Sequence, residues 1–404
     1  MDLLNKKFQK IGVENAPGQE MRQNTNEIKL RGEKLSGTPV DFSHGDVDAF
    51  EPIPGTLDVF IAGVHHGGKQ AYTEYRGSKI IREDAALKLA NFTGASINPD
   101  RNIIITPGTQ GALFLAMGST VAMGDKVAIV APDYFANRKL VEFFDGEVVP
   151  IQMNYLQTTD CAGLDLTQLE DTFKAGVKLF LFSNPNNPSG VIYSPNEIRT
   201  IADLAQKYGA SVIVDELYSR QIFEERTYTH LCAQNIIDPE NLVTIMGPSK
   251  TESLSGYRLG VAFGSSKIID RMEKLQAVVS LRAGGYSQAV MKSWFAEPES
   301  WMNERIAQHQ AIRDDLLRKL RSVDGIKVRT TEAGSYLFPQ IPNLDVTIQE
   351  FVKILRLQAD VTVTPGTEFG SQFTHSFRLN FSQNHQAAVA AIDRLIKIME
   401  RHRK

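Results

Sequence analysis

The sequence predicts an α/β protein, with a mostly parallel central sheet in a large domain and a smaller α+β domain after it. Three observations carry this reading. Short apolar runs rich in Val and Ile recur at residues 102–106, 126–131, 177–183, 210–215, 242–246 and 260–263. Helix-spaced apolar patterns lie between several of them, at 111–117, 138–144 and 195–207. Such alternation marks a sheet covered on both faces. The pattern then changes. A long charged helix over 300–323 follows Pro298, strand-like segments stand at 327–329, 336–339 and 376–381, and an amphipathic helix over 386–401 closes the chain.

Taken in order, residues 1–40 are polar with scattered Gly and Pro, and residues 1–45 are expected to form an arm belonging to the small domain. A helix over 79–92 follows from the stripe Ile80, Ile81, Ala85, Leu87, Leu89 and Ala90. Residues 46–295 form the expected large domain and 296–404 the small one. A chain of 404 residues suits two domains and can bury a large core unaided. Its 42% apolar and 23% charged content excludes disordered and fibrous classes. The net charge of −3 gives no electrostatic case for a nucleic-acid or membrane partner. Two cysteines, Cys161 and Cys232, exclude a disulfide framework and a four-thiolate zinc site, and fit a reducing compartment. No apolar run has the length of a signal peptide or of a membrane span, so a soluble, cytoplasmic protein is expected.

In an open parallel sheet, ligands bind beyond the carboxyl ends of the strands. The first such end carries Thr106-Pro107-Gly108-Thr109-Gln110-Gly111, directly before a helix. A Gly-rich turn opening a helix offers free N–H groups and a positive dipole end to a phosphate, although glycine there could equally be steric. The second carries Asn184-Pro185-Asn186-Asn187-Pro188-Ser189-Gly190, whose prolines stiffen a polar loop that also reads as a plain turn. The third ends in Asp215-Glu216-Leu217-Tyr218. An acid there is either a helix N-cap or the partner of a protonated ring nitrogen. The fourth ends in Gly247-Pro248-Ser249-Lys250, with Arg258 eight residues on. These are two surface cations, or a Schiff-base amine beside a phosphate clamp. Together the set suits pyridoxal phosphate, which has an aldehyde, a ring nitrogen, a phenolic oxygen and a phosphate.

On these residues the sequence resembles the class I/II aminotransferase family of fold-type-I pyridoxal-phosphate enzymes. The family's Asn-Pro-x-Asn-Pro-Thr-Gly resembles residues 184–190, with Ser189 for Thr. Its Asp-x-x-Tyr resembles Asp215 and Tyr218, and its Ser-Lys-(x)7-Arg-x-Gly resembles Ser249, Lys250, Arg258 and Gly260. Its Tyr-(x)4-Gly-(x)4-Arg resembles Tyr72, Gly77 and Arg82, and its early Gly-Asp/Glu resembles Gly45-Asp46. The late family pattern resembles Pro365, Gly366, Phe369, Gly370 and Arg378. The likeness runs in family order from about residue 40 to the C-terminus.

The resemblance implies roles. Lys250 would carry the cofactor and later move the substrate Cα proton. Asp215 would keep the pyridine nitrogen protonated, and Asn187 and Tyr218 would bond the phenolic oxygen. The turn at Gly108, the Thr109 and Gln110 amides, Ser249 and Arg258 would bind the phosphate. Tyr134 would stack on the ring, unless it is an ordinary rim tyrosine. Tyr72 would reach the neighbouring subunit's phosphate, which implies a homodimer with shared sites. Arg378 would take the substrate α-carboxylate, and Gly45 would let the backbone approach it.

Three positions depart from the pattern. Gly247 stands where some members place a phosphate-binding Ser, and Ser189 replaces Thr. Glu252 follows the lysine where many members are apolar; it could be solvated, pair with Arg258 or alter the lysine's basicity, and a structural pairing is favoured. Arg282 lies near the offset of the arginine that aspartate-type members use for a distal carboxylate, or else caps a helix. His44, His65, His66, Asp46, Asp48 and Glu74 flank the expected entrance and could serve a basic or polar substrate. The His65-His66 pair reads as a polar loop, with no third metal ligand at useful spacing. The resemblance implies transamination between an L-amino acid and a 2-oxo acid by a ping-pong mechanism. The alternatives are another pyridoxal-phosphate reaction (decarboxylase, β-lyase, synthase or oxidase) or an amino-acid sensor.

Overall fold

The computed structural model describes residues 2–12, 18, 24, 25 and 28–404. The expected arm over 1–45 therefore lies partly outside the described residues. Its first described part is a helix, Leu3–Ile11, capped by the Asp2 carboxylate on Asn5 N at 2.8 Å. It lies against the helix Phe135–Phe143, with Lys7 Nζ 4.6 Å from the Phe143 ring.

The strands in chain order are β1 (Val40–Asp41), β2 (Ile103–Pro107), β3 (Lys126–Ala131), β4 (Glu147–Gln152), β5 (Leu179–Ser183), β6 (Ser211–Asp215), β7 (Leu242–Met246), β8 (Leu259–Gly264), β9 (Tyr336–Leu337), β10 (Val361–Thr362), β11 (Thr364–Pro365) and β12 (Phe377–Asn380). Seven of them form the central sheet in the order β2-β8-β7-β6-β5-β3-β4. All its pairs are parallel except those of β8, which runs against both β2 and β7. The mostly parallel sheet read from the sequence is thus present.

The strands read as unbroken apolar runs because the pleat sends alternate residues to two buried faces. Phe180, Phe182, Val212 and Val214 enter one core, while Leu179, Leu181, Ile213, Val243 and Ile245 enter the other. Burying one such Phe or Leu stabilises the fold by about 1.5–3 kcal/mol. The covering helices follow local rules. Pro195–Tyr208 starts at a capping box of Ser194 and Glu197, has Pro at its first turn, and stops at Gly209 with φ 60°.

A separate core joins β1, β9 and β12 to the helices Trp301–Arg321, Ile348–Ala359 and His385–His402. β1 pairs with β10 in parallel, which ties residues 40–41 to the chain's last third. Helices expected over 300–323 and 386–401 are present within a few residues. The segment 327–329 differs from expectation: only Lys327 bridges, to Gln340, so no strand forms there. No helix among the described residues is long and apolar enough to cross a membrane.

Candidate active site

The carboxyl ends of β2, β3, β5, β6 and β7 meet at one rim of the sheet. Because β8 runs the other way, its first end reaches the same rim, and Arg258 stands directly before Leu259 there. An inner cavity of ≈ 230 Å³ sits at this rim. Its wall includes Thr109 and Gln110 after β2, Tyr134 after β3, Asn187 after β5, Asp215 and Tyr218 from β6 onward, and Ser249, Lys250 and Arg258 between β7 and β8. Arg378 reaches it from β12. A larger cleft of ≈ 940 Å³ shares Lys250, Ser249, Tyr218, Ser255 and His44 with it and takes in Gly45, Asp46 and Asp48.

The turn after β2 is built by close approach. A Cβ on Gly108, at φ 77°, would stand 2.6 Å from Arg258 Nη2. A Cβ on Gly260 would stand 2.4 Å from Thr109 N. The helix Gly108–Thr120 that follows has no side-chain cap bond at its start. Its first N–H groups therefore face the cavity end with the dipole's positive pole. Arg258 is itself at φ 54° and donates through Nη1 to Ser255 O at 3.0 Å. Ser249 Oγ donates to Leu259 O at 3.2 Å. Gly247 has no room for a serine side chain: a Cβ would lie 2.8 Å from Thr109 Cγ2 and 3.2 Å from Gly260 Cα.

Asp215 ends β6 and accepts from Leu217 N at 3.1 Å. Burial, with the neighbouring Glu216, pushes its carboxyl up to about 6, against the pull of Lys250. Among the described residues it has no ion-pair partner. Asp133, buried behind the same rim, accepts from Ser183 Oγ at 2.5 Å and from Ser183 N at 3.0 Å. Burial raises its carboxyl to about 7.

Arg378 is 2% exposed and donates to Asn187 Oδ1 at 3.0 Å and to Ser43 O at 2.9 Å. Among the described residues, its Nε and the hydroxyl of Ser43 are buried without a partner. Since Asn187 presents Oδ1 to the arginine, its Nδ2 is left as a donor. Tyr134 Oη donates to Gln110 Oε1 at 3.1 Å.

Four expected site residues do not line the inner cavity. Gly108 lies in the turn beneath the Arg258 guanidinium, and Gly45 borders only the outer cleft. Tyr72 is 80% exposed, and Arg282 lies over its ring at 5.5 Å, outside both cavities. His65 and His66 end the helix Thr56–His65, and with Glu74 they too lie outside both cavities, whereas His44 is held to Asp41 at 3.3 Å. That carboxylate, outweighing the cost of burial, raises the His44 imidazole to about 9.

Glu252 corrects one expectation. It is buried and paired, but with Arg220 at 2.7 Å and Trp294 Nε1 at 3.1 Å, not with Arg258. The sequence also missed Ser43 and Tyr336, both on the inner cavity wall. Ser43 stands two residues before the glycine that was singled out. Tyr336 lay in an expected strand with nothing to mark it as facing the cavity.

A family model described as aminotransferase class I and II matches residues 42–395. An aspartate aminotransferase of Pyrococcus horikoshii is 27% identical over 335 residues, 81% of this chain and 83% of that protein. One from Musicola paradisiaca is 27% identical over 370 residues, 90% of each. Among solved structures, an aspartate aminotransferase from Rhodobacter sphaeroides superposes with TM-score 0.94 at 61% identity, covering 99% of this chain and 100% of the other. An aromatic aminotransferase from Pyrococcus horikoshii superposes with TM-score 0.82 at 21% identity, covering 91% and 97%, which speaks to the fold alone.

Proposed function

We propose, because this chain belongs to the class I and II aminotransferase family, that the inner cavity is the site of its reaction. The protein is a pyridoxal-phosphate-dependent aminotransferase that moves an amino group from an amino acid to a 2-oxo acid by the family's ping-pong mechanism. The residues fit that cofactor. Asp215 is a buried carboxylate lacking a cation, Arg378 a buried guanidinium with a free Nε, and Gly108, Gly247 and Gly260 form a cradle that a Cβ would fill. When bound, pyridoxal phosphate supplies an aldehyde and an electron-accepting ring.

The chain's own groups divide the work. The Thr109 and Gln110 amides, Ser249 Oγ and the Arg258 guanidinium hold the phosphate. Asp215 holds a proton on the ring nitrogen, and a cation placed against it reverses the rise that burial imposes. Asn187 Nδ2 and Tyr218 Oη donate to the phenolic oxygen, and Tyr134 lies against the ring. Lys250 Nζ carries the cofactor and moves the Cα proton. Arg378 keeps donors, Nε among them, for the α-carboxylate. Gly45 lets backbone approach from the outer side.

Tyr72 and Arg282 are read as serving the partner subunit of a homodimer. They are adjacent and stand apart from their own chain's cavity. Exposed Leu57, Ile61 and Val64 offer an apolar face on a helix that packs beside the segment Gly285–Gln288. The cluster around β1, β9 and β12 supports a small domain over 296–404 that recruits part of the N-terminal segment. Both cysteines are free, which accords with a cytoplasmic location.

The observation that carries this reading is the meeting of Asp215, Lys250 and Arg378 on one cavity wall. Aspartate, named for the relatives, is the donor to assay first, with Arg282 the candidate for its distal carboxylate. The purified protein is supplied with pyridoxal phosphate, aspartate and 2-oxoglutarate, and glutamate is measured beside a Lys250→Ala control. Glutamate from the wild type alone supports the reading. Carbon dioxide or ammonia in its place refutes it.

A further inference from the structure

Tyr218 and Tyr336 place their phenolic oxygens 2.5 Å apart, both buried, on the wall of the inner cavity. Their rings meet edge to face, with centroids 5.3 Å apart. Two hydroxyls at that distance share one hydrogen, and the accepting hydroxyl must aim its own hydrogen elsewhere. Which one accepts decides what reaches the cofactor.

The charges around the pair settle the direction. The Arg378 guanidinium lies 4.3 Å from the Tyr336 ring centroid. Burial raises the Tyr336 phenol, but Arg378, Lys250 and the bond to Tyr218 together outweigh it and leave that phenol more acidic than usual, with Asp215 opposing. Tyr218 is held well above its ordinary value by burial and by Tyr336, with Asp215 adding to this. Tyr134, on the same cavity wall, also feels Tyr336. The more acidic phenol is the better donor, so the hydrogen between them belongs to Tyr336.

We propose that Tyr336 is a positioning residue of this aminotransferase, donating its phenolic hydrogen to Tyr218 Oη so that Tyr218 turns its own hydrogen on the cofactor's phenolic oxygen. The proposal rests on the reading that Tyr218 faces that oxygen. A hydroxyl that accepts one hydrogen bond becomes a stronger donor of the next. Tyr336 thereby favours the deprotonated phenolic oxygen without touching it.

The test reads the pH midpoint of the visible absorbance change in the cofactor-loaded protein. Tyr336→Phe keeps the ring against Arg378 and removes only the hydroxyl. It is expected to raise the midpoint by about half a pH unit, the share that cooperative strengthening adds to a charge-assisted bond. Tyr218→Phe is expected to raise it further, and Tyr336→Phe added to Tyr218→Phe to change nothing more. Should Tyr336→Phe fail to load cofactor, Tyr336→Leu also lacks the hydroxyl and must shift the midpoint in the same direction. An unchanged midpoint in Tyr336→Phe with a raised one in Tyr218→Phe overturns the proposal and leaves the reading of Tyr218 standing. No shift in either variant overturns both. An equal shift from Tyr336→Phe in both backgrounds overturns the relay, because Tyr336 would then act directly.

Discussion

Gly260→Ala tests the proposed phosphate cradle most directly. The new Cβ would lie 2.4 Å from Gly108 C, 2.4 Å from Thr109 N and 2.7 Å from Gly108 O. All three are backbone atoms, which cannot rotate aside. Carbon contacts settle at about 3.5–4.0 Å, so the turn must retreat by roughly 1 Å. A hydrogen bond of about 2.9 Å stretched by that much is no longer one. Each bond to a charged partner contributes about 1.5–3 kcal/mol, and losing one weakens binding by about tenfold to a hundredfold. The assay is titration of cofactor-stripped protein with pyridoxal phosphate, followed by absorbance, with the melting temperature as a check on folding. Gly256→Ala, whose Cβ would have nothing within 4 Å, is the control and should bind as wild type does. A folded Gly260→Ala protein with a Kd within about threefold of wild type would refute the reasoning.

Three further outcomes are expected. Asp215 has a folded pKa of about 6 above its ordinary 3.8, so its ionisation opposes folding: the penalty is absent below 3.8 and complete above 6. Cofactor-free Asp215→Asn should therefore exceed wild type in urea stability by roughly 3 kcal/mol above pH 6 and match it below pH 3.8; a variant less stable than wild type above pH 6 sinks this. Glu252→Ala leaves the Arg220 guanidinium without one of its two carboxylates and should cost about 3–5 kcal/mol in denaturant unfolding, whereas Glu252→Gln, able to accept from Trp294, should cost less; equal losses would argue against the pairing. Glu197 accepts from the buried amides of Ala162 and Leu164 and from Gly163, at 2.9–3.1 Å. Glu197→Ala should lower the melting temperature through at least about 3 kcal/mol of lost hydrogen bonding while leaving cofactor affinity unchanged; altered affinity would contradict that purely structural role.

The central strands were legible because two covered faces make every position apolar, as in Leu179–Ser183 and Leu242–Met246. The edge strand β4 was not, since Glu147, Pro150 and Gln152 break the run and most of it is part-exposed. The helix Ile348–Ala359 also went unread, although Thr347 and Glu350 form a capping box at its start. In the candidate site, residues at strand ends could be found because loops after strands are local in sequence. Tyr336 and Ser43 could not. Each owes its place to contacts with Tyr218 or Arg378, far away along the chain. The partner of Glu252 was missed for the opposite reason. Arg258 is close in sequence, but its side chain turns toward Ser255 and the Gly108 turn, while Arg220 arrives from another segment.

The reversed direction of β8 has a consequence for how this site tolerates change. A parallel strand after β7 would begin at the opposite rim of the sheet, so a residue directly before it could not face Lys250. Running antiparallel, β8 leaves Lys250 and Arg258 on one short connection, pinned by Arg220 on Glu252 and by Arg305 on Ser253 at 3.0 Å. On the proposed assignment, the covalent anchor and the phosphate clamp of one ligand thus share a single stretch of chain. An insertion or deletion between them would shift the two ends of the ligand against each other, so this loop acts as a ruler whose length the cofactor itself dictates.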